Sequence, residues 1–178
     1  MSRISRRNIL AGLAGLVVNP RGVIASERPI LRLQRAETRE TLVIQQWPLR
    51  EVDHLRASLL LRDVRDGGQA VWVDPLLLAT LARVNALADR LLGRATITVT
   101  SGYRTVRHNS SVEGAAQNSF HTRGQAADCR IAGMTAPACA QIAAMVGAGG
   151  IGLYESFTHV DTGPDRTWDR QARRIEHH

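Results

Sequence analysis

The stretch DPLLLATLARVNALADRLLGRATITVTSG, residues 74–102, reads as a helix followed directly by a strand. Asp74 can cap a helix and Pro75 suits its first turn. Leu77, Leu78, Leu81, Val84, Leu87, Ala88 and Leu91 then recur at three- and four-residue spacing, which marks one apolar face. Gly93 supplies the stop, and residues 95–102 alternate with β-branched side chains as a strand does. A helix with a broad apolar face beside an alternating strand predicts a layer of helix packed on sheet.

Outward from this unit the pattern is mixed. Residues 26–50 combine charges with short alternating runs such as LVIQQW and read as one or two edge strands. Leu55, Leu59 and Leu60 fit the face of a shorter helix, which RDGGQ at 65–69 ends. Downstream, QAADCRI (125–131) and IGLYESFTHVDT (151–162) read as strands, with a helix over 136–146 between them. The order predicts one α+β domain in which helices flank a small antiparallel sheet.

The chain has 178 residues, 44% hydrophobic and 22% charged, which suits one folded domain. All 23 basic residues are arginine, a compositional bias of the genome rather than a surface built for nucleic acid. The formal charge of +7 falls to +3 without Arg3, Arg6, Arg7 and Arg21, which sit in an N-terminal stretch free of acids. There SRRNILAGLAGLVV sets a twin arginine before an apolar run, Ile9 to Val18, well short of the about 20 residues that span a bilayer. It resembles a twin-arginine export signal with cleavage after Ala25. The expectation is therefore a signal peptide over 1–25, a domain over 26–178, and passage through the twin-arginine machinery to the periplasm. No stable membrane anchor after processing, no nucleic-acid partner and no signal for dimerisation are expected. Cys129 and Cys139 are too few for a disulfide framework and read as buried thiols.

In a strand Ala126, Asp128 and Arg130 share one face, and Ala127, Cys129 and Ile131 the other. The same parity puts His159 beside Asp161, with Thr158 and Val160 opposite. His121, in NSFHTRGQAAD, lies seven residues before Asp128. Two imidazoles and a carboxylate, from His121, His159 and Asp128, would supply the three protein ligands of a catalytic zinc site, but spacing alone does not decide this. His54 and His108 read as surface histidines, and His177 and His178 as a terminal pair. Asn109, Glu113 and Asn118 could contact a polar substrate, and Trp168 is expected to pack near the rim of the site.

SGYR (101–104), SxHxxGxAxD (119–128) and GGxGxYxxFxHxDxG (149–163), in that order, resemble the zinc peptidases related to D-alanyl-D-alanine carboxypeptidases, and among them the YcbK or MepK type of exported murein endopeptidases. The likeness is tight from Thr100 to Trp168 and looser from Leu31. It implies a Zn2+ cofactor held by His121, Asp128 and His159, with Arg104 gripping the scissile carbonyl or its oxyanion. Ser119 matches a substrate-contacting serine, although capping would explain it too. The implied reaction is hydrolysis of peptide cross-links in peptidoglycan. The alternatives are removal of a terminal D-alanine, or a zinc-stabilised binding module without turnover.

Such hydrolysis needs a proton acceptor. Many relatives carry an acid three positions before the last histidine ligand, where this chain has Ser156. Asp161 is the first choice for general base, on the strand face of His159. Its rival reading is a group that orients a ligand. Glu155 is the other acid in range, although its parity turns it away in a regular strand.

Overall fold

A computed structural model of the protein describes residues 31–171. The export-signal stretch and the terminal histidine pair lie outside them. Seven strands form one sheet: β1 (Leu31–Arg35), β2 (Thr41–Ile44), β3 (Ile97–Ser101), β4 (Ala126–Ile131), β5 (Gly150–Leu153), β6 (Thr158–Asp161) and β7 (Arg166–Asp169). Their spatial order is β2-β1-β3-β4-β6-β5-β7. Four helices accompany them: α1 (Glu51–Leu60), α2 (Pro75–Leu92), α3 (Val106–Ser111) and α4 (Ala136–Met145), with a 3-10 turn at Phe120–Arg123. None of the described helices is long and apolar enough to cross a membrane.

The single α+β domain is as expected, and β3, β4, β6 and β5 pair antiparallel. The sheet is larger than anticipated and mixed, because β1 joins β3, and β7 joins β5, in parallel. Neither pairing has a local signature, since parallel neighbours are not linked by a hairpin turn. β7 itself, the four-residue RTWD, is too short for its alternation to be read.

Helix α2 forms where the apolar period put it. The Asp74 carboxylate accepts from the Leu76 N–H, and Gly93 ends the helix at φ 79°, where a side chain would be strained. Leu77, Leu78, Leu81, Val84 and Ala88 are buried, and Leu91 is not. They meet Leu31, Leu33, Ile97, Val99, Ala127, Cys129, Ile131 and Val160 in one core, in which α4 also packs on β4, β5 and β6. Leu78 is 0% exposed. Leu78→Ala is expected to cost about 2–5 kcal/mol, read as a lower urea midpoint at unchanged slope.

Helix α1 corrects two readings. Its buried face is Asp53, His54, Ala57, Ser58 and Leu60, while Leu55 and Leu59 are 46% and 45% exposed. Polar groups dock this helix on the segment before Asp74. His54 Nε2 donates to the Val73 carbonyl at 2.6 Å, and the Ser58 hydroxyl accepts from Val73 N–H at 3.1 Å. A leucine-based period cannot see a face held by hydrogen bonds. His54 is thus buried rather than on the surface. His108 is half-buried with Nδ1 2.9 Å from the Asp63 carboxylate. Cys129 and Cys139 are free and buried, and burial pushes both thiols up, so neither is poised to react.

Candidate metal centre

Helices α2 and α4 pack on the sheet face that carries Ala127, Cys129 and Val160, and strand parity puts Asp128 and His159 on the other. β4 and β6 pair with Asp128 opposite His159 and Ala126 opposite Asp161, so the small Ala126 leaves space beside both acids. His121 arrives from the 3-10 turn. Ser119 caps that turn with its hydroxyl 3.3 Å from the His121 N–H, which is the capping alternative foreseen for it.

His121 Nε2, His159 Nδ1 and Asp128 Oδ1 form a small triangle. The two nitrogens are 3.1 Å apart, and Asp128 Oδ1 lies 3.2 Å from His121 Nε2 and 2.9 Å from His159 Nδ1. Ligands at about 2.0–2.1 Å from a tetrahedral ion would be about 3.3 Å from one another. All three residues are buried, and among the described residues this is the group with metal-holding geometry.

The outer ring nitrogens are committed, which sets what the inner ones present. His121 Nδ1 donates to the Gly102 carbonyl at 2.6 Å, and His159 Nε2 donates to Asp161 Oδ2 at 2.9 Å. In the neutral form of each ring these bonds leave His121 Nε2 and His159 Nδ1 without a proton, as a ligand must be. Burial lowers the His121 pKa and keeps that ring neutral, against the pull of Asp128. Burial also works to lower His159, but hydrogen bonds and charge from Asp128 and Asp161 outweigh it and raise its pKa. Asp128 is pushed up by burial and brought far below the carboxylate range by the two histidines. Two imidazole nitrogens and one carboxylate oxygen at these separations are a donor set that fits zinc.

Arg104 lies at the edge of this triangle. Its Nη2 donates to Asp128 Oδ2 in a very short ion pair, and its Nε donates to the Ser101 hydroxyl at 2.7 Å. No described group accepts from Nη1. The loop that carries it is pinned by buried Asp63, whose Oδ2 accepts from the Thr105 N–H at 2.8 Å while the same carboxylate meets His108. Sequence reading gave no role to Asp63. The polar cluster after α1 held the signal, and only the fold shows its distant partner.

Asp161 does stand next to His159, and it is 0% exposed. Its Oδ1 accepts from the N–H groups of Gly150 (3.1 Å) and Gly163 (2.8 Å) and from Arg166 Nη1 (3.0 Å). Its Oδ2 accepts from Arg166 Nη2 at 2.6 Å as well as from His159. Burial would raise this carboxyl, but the bonds from His159 and Arg166 bring its pKa down to about 2. Of the two roles open to Asp161, these contacts fit the orienting one, because the carboxylate meets the far side of the His159 ring from Nδ1.

Trp168 stacks at a tilt on His159, 5.1 Å between ring centres, and donates through Nε1 to the Tyr154 hydroxyl at 3.3 Å. Tyr154 stacks on Phe157, so the exposed Glu155 and Ser156 form the tip of a loop that borders the centre. Asn109 is buried and its Nδ2 donates to the Ala116 carbonyl at 2.9 Å, whereas Glu113 and Asn118 are exposed.

A family model described as peptidoglycan L,D-endopeptidase MepK matches residues 23–168. The peptidoglycan L,D-endopeptidase MepK of Escherichia coli K12 is 31% identical over 180 residues, covering 92% of this chain and 97% of that protein. The protein of the same name from Shigella flexneri matches to the same extent. A probable peptidoglycan L,D-endopeptidase MepK of Haemophilus influenzae is 37% identical over 119 residues, 64% of this chain and 62% of its own length.

Proposed function

This chain belongs to the peptidoglycan L,D-endopeptidase MepK family, and on that premise we propose that it is an exported, zinc-dependent peptidase that cuts peptide cross-links in peptidoglycan. The observation that carries the reading is the triangle of His121 Nε2, His159 Nδ1 and Asp128 Oδ1, with separations of 2.9–3.2 Å. The bond cut is the L,D linkage for which the relatives are named. The twin arginine at Arg6 and Arg7 supports passage to the periplasm, with residues 1–25 as the signal peptide.

His121, Asp128 and His159 would hold the zinc, which lowers the pKa of a water toward about 7 and polarises the carbonyl under attack. Every other requirement falls on the chain. Arg104 is fixed by Asp128 and Ser101, which leaves Nη1 to donate to the carbonyl oxygen as charge develops there. Ser119 stands beside the first ligand, where its hydroxyl caps the 3-10 turn and is placed to meet the substrate. Asp161 holds the His159 ring. The proton acceptor is then Glu155, on the loop that Tyr154 and Phe157 shape at the border of the site.

Defined cross-linked muropeptides, incubated with zinc-loaded residues 26–178 and resolved by mass spectrometry, test the reading. Cleavage at the L,D bond supports it. Release of a terminal D-alanine alone would make the protein a carboxypeptidase, and intact substrate with zinc bound would make it a binding module. The same assay separates the two acids. Glu155→Gln is expected to lower kcat about 10²–10⁴-fold with zinc affinity unchanged. Asp161→Asn is expected to weaken zinc about 10–100-fold. Wild-type zinc affinity in Asp161→Asn with turnover abolished would return the base to Asp161.

A further inference from the structure

Two rows of residues cross the open face of the sheet. In the first, Ser101, Asp128, His159, Gly152 and Trp168 are register neighbours on β3, β4, β6, β5 and β7. In the second, Ala126, Asp161, Gly150 and Arg166 are neighbours on β4, β6, β5 and β7. Adjacent strands are about 4.8 Å apart, so residues of β6 and β7 face each other across about 10 Å with β5 between them. Any side chain on β5 in either row would stand in that gap.

Both β5 positions are glycine. A Cβ at Gly150 would lie 2.6 Å from Arg166 Nη1 and closer still to Asp161 Oδ2, and one at Gly152 would lie 2.5 Å from the Trp168 ring. The bare strand therefore lets β7 reach over β5. Trp168 crosses to the His159 ring, and Arg166 crosses to take both oxygens of Asp161, at 3.0 and 2.6 Å.

The Arg166 guanidinium is held from several sides. It lies 4.7 Å above the Phe120 ring and 5.2 Å from that of Trp168, and Nη1 also donates to the Pro164 carbonyl at 3.2 Å. Phe120 directly precedes His121, and Trp168 packs on His159, so Arg166 is in contact with the neighbours of both histidines. The oxygen shared by Arg166 and His159 is Asp161 Oδ2. A forked, planar donor fixes both position and tilt of a carboxylate, which an ammonium cannot do.

We propose that Arg166 is a positioning residue for the metal centre: reaching over Gly150, it clamps Asp161 so that Oδ2 holds His159 with Nδ1 turned to His121 and Asp128. The inference rests on the reading of those three residues as a metal site. An ion pair serving stability alone would change the unfolding midpoint and leave the zinc affinity of the folded protein as it was.

Zinc affinity by competition with a chromogenic chelator, at fixed pH on folded protein, separates the two. The proteins are residues 26–178 in wild-type form and as Arg166→Gln, Arg166→Lys, Asp161→Asn and the double variant Arg166→Gln/Asp161→Asn. Arg166→Gln is expected to bind zinc about 10–100-fold more weakly. Arg166→Lys, which keeps the charge and the fold but not the fork, should fall between it and wild type. The double variant should bind no more weakly than Asp161→Asn, since both act on one atom of His159. Affinities of Arg166→Gln and Arg166→Lys within twofold of wild type, or losses that add in the double variant, would overturn the proposal. No substrate enters this measurement, so wild-type zinc binding without muropeptide cleavage would end the peptidase reading and leave this one standing. A wild type that binds no zinc would end both.

Discussion

His121→Ala is expected to abolish muropeptide cleavage, by more than the roughly 10²–10³-fold that one oxyanion donor contributes. The variant removes Nε2 from a triangle in which each separation is 2.9–3.2 Å, and two ligands cannot hold the ion in that geometry. It also frees the Gly102 carbonyl, which accepts from His121 Nδ1, and so loosens the turn before Arg104. The check is zinc content by mass spectrometry beside cleavage rate. Metal lost together with activity, in a protein that still melts cooperatively, is the expected result. Turnover retained without the metal would remove zinc from the account.

Arg104→Ala is expected to lower kcat about 10²–10³-fold with little change in KM, because Nη1 is aimed at charge present only as the carbonyl is attacked. Arg104 also holds Asp128 Oδ2, so the competing outcome is loss through the ligand rather than through the substrate. Zinc affinity decides between them. Unchanged affinity with reduced kcat supports contact with the reacting carbonyl. Weakened zinc with kcat restored at saturating metal would make Arg104 a support for Asp128 alone. Arg104→Lys should recover only part of the rate, since a single ammonium cannot bond Ser101, Asp128 and substrate at once.

The candidate ligands Asp128 and His159 and their faces were legible in the residues because strand parity is a local property. Once 126–131 and 158–161 are strands, Asp128 must share a face with Ala126, and His159 with Asp161. Resemblance to a known peptidase family then selected His121 to complete the set. Two roles were not legible. Asp161 stood as general base or as a group that orients a ligand, because nearness to His159 does not say which side of a ring a carboxylate meets. Ser119 likewise offered substrate contact and capping on equal terms, and its hydroxyl is seen capping.

The α2 helix, its cap at Asp74 and stop at Gly93, the strands around the site and the burial of both thiols follow from short-range preferences that hold wherever the segment lies. The buried face of α1 does not, because its partners are the Val73 backbone groups, 15 and 19 residues away. Nor does the parallel placement of β7 beside β5, on which Arg166 and Trp168 depend. A four-residue strand has too little alternation to declare itself, and its position is set by β5 and the turn through Gly163. What the residues determined alone was which groups can serve as ligands; which neighbours hold those ligands in place was decided by strands that meet only after the chain has folded.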